Sequence, residues 1–391
     1  MHSESIPGTA ELAGEGRYIY IAGPWGPKGG GMFRVADYLI QAQTPSRSAG
    51  IAELRHLDTR GGGGATSSMW VLAAALARLV RGRVSGRLSG VHVNVAERLS
   101  LIRKGVILVV CRVLSVPVVL HVHAAQLHHL YRALPWFLQS LVRWMFSLPS
   151  SCIVLGKTAQ RFVIDELRVP PERVHIIFNG VPEPITIRRN RTVGSVQRVL
   201  FLGNLSERKG VSDLLQALAL PGFDTSRLEV TLAGGGDVPA YREKARALHV
   251  DTLVRFEGWV DQHEAAHLMA RADVLVLPSY DEGMPLVILE ALANGVAVLC
   301  SPVGEIPSVL TDRANACFVQ PGDVRGIATS LQEILTNPVL MESLERGGRT
   351  LFEEEFSLIR FFGAVACIHR RYFGIAGKPS RLTSTASNDM P

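Results

Sequence analysis

Short runs rich in Val and Ile alternate with longer segments of helical periodicity in the first part of the chain. The strand-like runs lie in "RYIYIAG", "GIAELRHL", "GVHVNV", "VPVVLHVHA", "SSCIVLG" and "VHIIFNGV". Buried runs of this kind, separated by helices, predict a parallel sheet covered on both faces. The second unit predicts a strand to Leu57, a loop Asp58–Ser68 and a helix from about Met69.

The pattern breaks at Val181–Gln197, a segment rich in Pro, Arg and polar residues, and then resumes. The second series comprises "RVLFLGN", "LEVTLAGGG", "VRFEGWV", "ADVLVLPS", "GVAVLCS" and "ACFVQPG". A break between two such series indicates an interdomain linker. The sequence therefore predicts an α/β protein with two doubly wound, Rossmann-like domains facing each other across a deep cleft at the carboxyl ends of their strands.

The predicted organisation has six parts. They are a disordered lead-in 1–16, an N-terminal domain 17–182, a linker 183–197, a C-terminal domain 198–356, a helix 357–375 that packs back toward the N-terminal domain, and a disordered tail 376–391.

Composition narrows the class of protein. The 391 residues are 47% hydrophobic and 19% charged, which suits a folded protein of two domains. The net charge of +6 favours anionic partners such as a nucleoside diphosphate or a phospholipid surface. Nucleic-acid binding has only this charge in its favour, so we expect no nucleic-acid partner.

The cysteines and the apolar segments indicate a cytoplasmic protein. Five scattered cysteines form no CxxC pair and no Cys/His cluster, which makes zinc and disulfides improbable. The N-terminus lacks the pattern of a signal peptide, and the apolar stretch Val106–Leu120 is interrupted by Arg112 and Pro117. Peripheral binding to the inner face of the cell membrane stays open.

A glycine-rich turn follows the first strand, at Gly29, Gly30 and Gly31. Glycines let the backbone approach a ligand closely, and a helix N-terminus offers N–H groups to an anion. Such turns are common, so ligand contact and a plain turn are equally good interpretations. The segment is not GxGxxG, which disfavours an NAD-dependent dehydrogenase.

A cationic turn follows the first strand of the second series, in "LFLGNLSERKG". Gly203 and Asn204 end the strand, and Arg208 and Lys209 precede the next helix. Cations at such a turn point into the crevice, where a pyrophosphate could bind; the alternative is a solvated pair on the surface. Gly234 and Gly235 supply another small-residue turn at the same edge.

The segment "PSYDEGMPLVILEALANG" holds two glutamates, Glu282 and Glu290, around the start of an apolar helix. Pro285 suits the first helical position, so the N–H groups of Gly283, Met284 and Leu286–Ile288 are left to meet a ligand. Carboxylates there suit the hydroxyls of a sugar and of a ribose. The alternatives are capping of the helix by Glu282 and a surface position for Glu290.

These segments together resemble retaining GT-B glycosyltransferases of family 4, of the bacterial exopolysaccharide and glycolipid type. The resemblance rests on "FLGNLSERKG", "TLAGGG", "RFEGWV", "ADVLVLPSYDEGMPLVILEALANGVAVLCSPVG" and, in the first half, "VHVNVAERLSLIRKG", "LHVHA" and "IIFNGV". It covers most of residues 17–373. It implies a hexosyltransferase that acts on a nucleotide sugar, with a UDP-sugar favoured over a GDP-sugar, with retention and with neither metal nor other cofactor.

The resemblance also implies roles for individual residues. Glu290 would bind the ribose, and Glu282 with the backbone of Gly283, Met284 and Pro285 would hold the donor sugar. Lys209 would pair with the diphosphate, helped by Gly30 and Gly31. His123 would lie at the reaction centre, with His121, on the same side of the strand, as a lesser acceptor-side candidate. Structural packing is the alternative for both histidines.

Two positions depart from the family pattern. Asn204 stands where the family often has Arg, and "GEIPS" at 304–308 replaces the usual Gly-Gly-Ile-Pro-Glu. These departures keep a non-catalytic GT-B subunit open as an alternative. A sugar-nucleotide epimerase of the same fold is the other.

The acceptor is expected on the N-terminal domain. Helical segments there mix Arg78, Arg81 and Arg143 with Trp136 and Trp144, which suits a membrane interface and hence a lipid-linked oligosaccharide acceptor. An ordinary helix with solvated arginines is an equally good interpretation. Further acceptor-side candidates are Asn94, Arg103 and Lys104.

Overall fold

The computed structural model describes residues 16–26, 30–43, 52–96, 99–124, 126–184 and 196–374. The predicted tail 376–391, nearly all of the predicted lead-in 1–16, most of the predicted linker and Gly29 lie outside these residues. The described chain contains two six-stranded sheets with every strand parallel to its neighbours. The predicted α/β architecture of two doubly wound sheets is confirmed.

The first sheet has the order β2-β1-β3-β4-β5-β6. Its strands are β1 Tyr18–Gly23, β2 Glu53–Asp58, β3 Leu88–Val95, β4 Val118–Val122, β5 Ser151–Val154 and β6 Val174–Ile176. The helices between them are α1 Gly30–Gln41, α2 Ala65–Val84, α3 Leu99–Val113, α4 Leu127–Ala133, α5 Trp136–Ser147 and α6 Lys157–Arg161, which continues as a π-turn at Phe162–Glu166.

The second sheet has the order β12-β11-β10-β7-β8-β9. Its strands are β7 Gln197–Leu202, β8 Leu228–Ala233, β9 Val254–Gly258, β10 Val274–Leu277, β11 Ala297–Cys300 and β12 Cys317–Phe318. Its helices are α7 Val211–Leu218, α8 Val238–Ala247, α9 Gln262–Arg271, α10 Leu286–Ala293, α11 Val324–Thr336 and α12 Pro338–Leu351.

The last helix, α13 Leu358–Phe373, returns to the first sheet and packs on β3 and β4. Its entry is fixed by two backbone hydrogen bonds, from Val181 N to Phe356 O (3.0 Å) and from Leu358 N to Val181 O (2.9 Å). Phe361, Val365 and other apolar side chains of α13 are buried in the core that also contains the second sheet. The C-terminal helix therefore ties the two sheets together.

Connection direction decides which helices share a face of the first sheet. Because β-α-β crossovers are right-handed, α2, α3 and the α4–α5 segment, which all advance the same way across the sheet, lie on one face. The α1 connection runs the opposite way, so α1 lies on the other face, where it contacts α13. The resulting α2–α3–α5 layer has α3 in the middle, packed against both neighbours.

Two helix starts differ from the predicted ones. Helix α2 begins at Ala65, about one turn before the predicted Met69, because Gly64 is extended and serves as its N-cap. Pro285 precedes α10 as an extended N-cap residue (φ −73°, ψ 128°) and is not its first helical residue. Its missing N–H still costs nothing there. None of the described helices has the length and apolar content that crossing a bilayer requires.

Candidate active site

A cleft of about 1210 Å³ separates the carboxyl ends of the two sheets. It brings together most of the residues that the sequence predicted for the donor site and the reaction centre. From the first-sheet side these are Gly30, Gly31 and His123; from the second they are Gly203, Asn204, Arg208, Lys209, Gly234, Gly235, Glu282, Gly283, Met284, Pro285 and Leu286. The predicted residues that do not line this cleft are Glu290, Asn94, Arg103, Lys104 and His121.

Close backbone contact forms the floor of the cleft on the second-sheet side. Gly234 has φ +149°, and a Cβ built on it would lie 1.8 Å from the carbonyl oxygen of Gly203. No side chain fits in that gap. The turns after β7 and β8 can therefore pack together only because glycine stands at 234.

Lys209 ends a short 3₁₀ turn after β7, and its Nζ pairs with Oε1 of Glu282, from the loop after β10. Glu282 is 6% exposed, and the Ser279 hydroxyl donates to the same oxygen at 2.7 Å. Arg208, the residue before Lys209 in this turn, donates from Nη1 to the carbonyl oxygen of Asp281 at 2.7 Å. Two cations thus face the cleft, one of them held by a carboxylate.

The "GEIPS" segment packs against the backbone of the Glu282 loop. Gly304 has φ +60°, and a Cβ there would lie 1.8 Å from the carbonyl oxygen of Glu282. Glu305 N donates to Gly283 O at 3.1 Å. The backbone of Glu282 and Gly283 is therefore fixed just before α10. The N–H group of Ile288, which the sequence predicted to be free for a ligand, instead donates to the carbonyl oxygen of Pro285 at 3.1 Å.

Glu290 lies behind the cleft wall, where two side chains of α1 reach its carboxylate across the gap. Arg34 Nη1 lies 3.0 Å from Oε1, and the Tyr38 hydroxyl donates to Oε1 at 3.2 Å. Burial raises the pKa of Glu290, and the Arg34 charge opposes that rise. Gln262 of α9 also donates to the Tyr38 hydroxyl at 3.2 Å. The sequence carried no signal for these partners of Glu290.

His123 follows β4, and its Nε2 lies 2.8 Å from Oδ1 of Asn94 on β3. Nδ2 of Asn94 donates to the carbonyl oxygen of Ala22 at 3.4 Å, which turns Oδ1 toward the histidine. Nε2 must then carry the proton, leaving Nδ1 as the acceptor. Burial lowers the pKa of His123 to about 3, so the ring is neutral at physiological pH. Asn94 is therefore placed to orient His123.

His121, two residues earlier, belongs to a chain of buried histidines that the sequence did not reveal. Its Nδ1 lies 3.2 Å from Nε2 of His92 on β3, and Nδ1 of His92 lies 2.9 Å from Nε2 of His369 on α13. Burial lowers the pKa of His92 and of His121 well below the usual value, and that of His369 to about 3.

Among the described residues, no group of three or more His, Cys, Asp or Glu side chains could hold a metal ion.

Arg103 and Lys104 lie on α3, away from the cleft wall. Lys104 is 1% exposed, and its Nζ donates to the Thr59 hydroxyl. Burial and the neighbouring Arg103 lower the pKa of Lys104 to about 7. Burial and Arg60 lower the pKa of Arg103. Lys104 is thus packed inside the domain, whereas Arg103 is only partly covered.

A second cavity, of about 790 Å³, adjoins the cleft and shares His123, Gln126, Leu155, Glu282 and Gly283 with it. Its other lining side chains include His128, His129 and Arg132 from α4 and Arg161 from α6. None of these four side chains is among the residues that the sequence predicts for the acceptor side. The two cavities meet at His123 and Glu282.

Glu305 bridges the two sheets on the wall of the second cavity. Its carboxylate accepts hydrogen bonds from the backbone N–H groups of Thr158 (3.3 Å) and Ala159 (2.7 Å) at the start of α6. Ser308, at the last position of "GEIPS", donates to the carbonyl oxygen of Glu305 at 2.7 Å. The altered motif therefore forms a contact across the cleft.

Comparisons with known proteins identify the family of both halves of the chain. Residues 66–183 match the family model of Glycosyltransferase Family 4, and residues 185–351 match that of Glycosyl transferases group 1. The two models together span most of the chain and fall on the two sheets in turn.

The sequence is similar to an uncharacterized glycosyltransferase of Methanocaldococcus jannaschii (28% identity, 52% of this chain and 56% of that protein). It is also similar to glycogen synthase of Mycobacterium tuberculosis (30% identity, 47% of this chain and 45% of that protein). The chain spans about half the length of the curated relatives it matches.

The fold is similar to that of HepE from Anabaena, crystallised with UDP and glucose. The TM-score is 0.69 at 17% identity, over 90% of this chain and 98% of that one. At that identity the likeness concerns the fold alone.

Proposed function

Because the chain belongs to the GT-B glycosyltransferases, with a family 4 domain followed by a group 1 domain, we propose that it transfers a hexose-type sugar from a nucleoside diphosphate to a lipid-linked saccharide. The observation that carries the proposal is the convergence of Lys209, Arg208 and the N-terminus of α10 on one cleft, with His123 on the opposite wall. We place the reaction in polysaccharide or glycolipid biosynthesis.

In the proposed donor complex, the diphosphate lies between Lys209, Arg208 and the amides at the start of α10. Cations and helix N-terminal amides are the groups that bind phosphate oxygens. Glu282 would turn from Lys209 toward the sugar hydroxyls, and Glu290 would accept from the ribose hydroxyls. Arg34 and Tyr38 must release Glu290 first, so donor entry is coupled to movement of α1. The UDP bound to the structurally similar HepE supports a UDP-sugar as the donor.

The proposed step breaks the bond between the anomeric carbon and the diphosphate oxygen, and the electron pair leaves with the diphosphate. The acceptor hydroxyl forms the new bond on the same face of the sugar and passes its proton to an oxygen of the departing diphosphate, so the configuration is retained. Lys209 and the α10 amides would stabilise the charge on the leaving group, the task that a metal ion performs in other enzymes. We therefore propose a reaction that depends on no metal.

The acceptor saccharide is proposed to enter the second cavity. That cavity meets the donor cleft at His123, and its mixed cationic and carboxylate lining suits a polyhydroxyl ligand. Asn94, which orients His123, is then a supporting residue of the acceptor side, whereas Arg103 lines neither cavity. We expect Arg161→Ala to raise the acceptor KM about tenfold and to leave the donor Kd unchanged.

A panel of nucleotide sugars tests the proposal, first by thermal shift and then by incubation with a membrane lipid extract. We expect one UDP-sugar to raise the Tm and to yield a glycosylated lipid detected by mass spectrometry. Conversion of the donor to its epimer without any acceptor would establish the epimerase instead. A panel that shifts nothing and yields no product would favour a non-catalytic subunit.

A further inference from the structure

The outer face of the α2–α3–α5 layer is apolar where the surface of a soluble domain is ordinarily polar. Among the described residues, twelve exposed large apolar side chains lie on these helices and only five lie elsewhere. Those on the layer are Met69, Trp70, Val80, Val84, Leu99, Ile102, Val106, Val113, Trp136, Phe137, Leu141 and Trp144. Because α2, α3 and α5 are neighbours in one layer, exposed apolar side chains concentrated on them indicate an interaction surface.

The exposed residues follow helical periodicity on the outer sides of the helices. On α3 they are Leu99, Ile102, Val106 and Val113, a stripe that faces away from the sheet. Trp70, at the start of α2, is 79% exposed and Trp136, at the start of α5, is 77% exposed. The inward sides carry separate buried residues, so each helix has two apolar faces, and the described residues cover only one of them.

The charge on this part of the chain has one sign. Residues 59–164 contain thirteen Lys and Arg but a single acidic residue, Glu97, although the whole chain carries only +6. Arg78 and Arg81 on α2 and Arg112 on α3 are exposed beside the apolar residues. A surface that is both apolar and cationic complements an anionic bilayer, which offers phosphate groups above an apolar interior.

We propose that the outer face of α2, α3 and α5 is a docking surface for an anionic lipid bilayer. Nucleic acid would use the arginines but would leave the Leu99–Ile102–Val106 stripe in water. A second copy of this chain would bring two strongly cationic faces together. The bilayer accounts for both the apolar residues and the charge.

The position of this face suits a lipid-borne acceptor. Met69, Trp70, Leu99 and Ile102 lie in the first turns of their helices, at the sheet edge that carries His123. Trp136 begins α5 directly after α4, whose His129 lines the second cavity. The link to an acceptor rests on the proposed function, whereas the docking surface itself does not.

Sedimentation of the full chain with vesicles tests the docking surface. We expect pelleting with phosphatidylcholine vesicles that contain phosphatidylglycerol, weakened by salt, and little with phosphatidylcholine alone. Replacing Arg78, Arg81 and Arg112 by Gln should weaken binding roughly fivefold for each arginine. Replacing Ile102 and Trp136 by Ser should weaken it at least about tenfold.

Matched controls carry the same changes elsewhere on the surface. Arg246, Arg325 and Arg346, each replaced by Gln, remove the same charge from the second-sheet side, and Val339→Ser with Ile359→Ser removes exposed apolar side chains there. These variants should bind vesicles like the wild type. Because all the replaced side chains are exposed, we expect unchanged Tm values.

Three results would overturn the docking surface: no pelleting, equal loss in the control variants, or light scattering that shows a dimer dissociated by the Ile102 and Trp136 changes. Donor binding separates this inference from the proposed function. Face variants should bind UDP-sugar like the wild type. A protein that binds vesicles through this face but no nucleotide sugar would refute the proposed function and leave the docking surface standing.

Discussion

At the scale of single residues, the pair between Lys209 and Glu282 governs the charge of the donor side. Both side chains are largely buried, so neither is well solvated by water when its partner is removed. In the proposed donor complex, this pair is exchanged for contacts with the diphosphate and the sugar. The pair therefore balances the charge of Lys209 and leaves that of Arg208 uncompensated by a carboxylate.

Lys209→Met is expected to lower turnover about a hundredfold to a thousandfold, because the leaving diphosphate loses its nearest cation. It also leaves Glu282 unpaired, at a cost on the order of 3 kcal/mol in the free energy of unfolding. Initial rates of sugar transfer and urea unfolding measure the two effects.

The double variant Lys209→Met/Glu282→Gln separates catalysis from folding. It should regain most of the stability and none of the turnover. Lys244→Met is the matched control, since Lys244 contacts Ser212 outside the cleft. Near-normal transfer by Lys209→Met would remove Lys209 from the mechanism.

The buried histidines predict how stability depends on pH. Their pKa values are lowered in the folded protein, to about 3 for His123 and His369, against about 6.5 in the unfolded chain. The unfolded state therefore binds more protons below pH 6.5. The stability that these rings contribute is complete above that pH and is lost as the pH falls toward 3.

His369→Gln should reduce this dependence, because one titrating ring is removed while its side chain can still hydrogen-bond His92. Urea unfolding at pH 5.5 and pH 4.5 should show a slope smaller by about 1.4 kcal/mol per pH unit than that of the wild type. An identical slope in the two proteins would mean that His369 is protonated in the fold.

The sequence predicted the position of a site residue correctly where that position follows from a local pattern. Gly203, Lys209, Glu282 and the start of α10 follow strand ends, and strand ends meet at one sheet edge. Arg34 and Tyr38 on Glu290, or His369 on His92, were out of reach because more than 250 residues separate the partners. Such contacts depend on how the two sheets are set against each other.

At the scale of elements, the hydrogen bonds between the Glu305 carboxylate and the start of α6 connect the two sides of the cleft. Gly156, directly before α6, leaves room for it: a Cβ built there would lie 2.2 Å from Oε2 of Glu305. In "GEIPS" the carboxylate stands at position 305, the second of the motif. An alteration that looked like a weakened site in the sequence is a structural contact in the fold.

Gly156→Ala is expected to push Glu305 away from Thr158 and Ala159 and to hinder closure of the cleft. We expect kcat/KM for transfer to fall about tenfold or more, with the Tm lowered only slightly, because the clash falls on one side chain at the cleft. Gly363→Ala, a helical position with open space around it, is the control. Equal rates in both variants would show that transfer does not depend on the contact between Glu305 and α6.

Element boundaries show the limit of pattern reasoning. The helix α2 started earlier than expected because Gly64 acts as a cap, while the strands of both sheets were found where Val and Ile cluster. Hydrophobic periodicity identifies an element, but the cap residue that starts it depends on backbone angles that the pattern does not contain.

At the scale of the whole molecule, the two sheets are joined by several contacts across the cleft. Arg34 and Tyr38 hold Glu290, Gln262 holds Tyr38, and Glu305 holds α6, while α13 links the two cores. Donor entry must break the first group of contacts and can leave α13 in place. We therefore expect the packing of α13 to stay intact when the donor enters.

The central claim, that this cleft moves a sugar from a nucleoside diphosphate to an acceptor, is tested most directly by stoichiometry. Nucleoside diphosphate and glycosylated lipid are counted by mass spectrometry in one reaction, with wild type and Lys209→Met side by side. We predict one nucleoside diphosphate per glycosylated lipid for the wild type and almost none of either for the variant. Nucleoside diphosphate released without any glycosylated product, or equal yields from both proteins, would contradict the account.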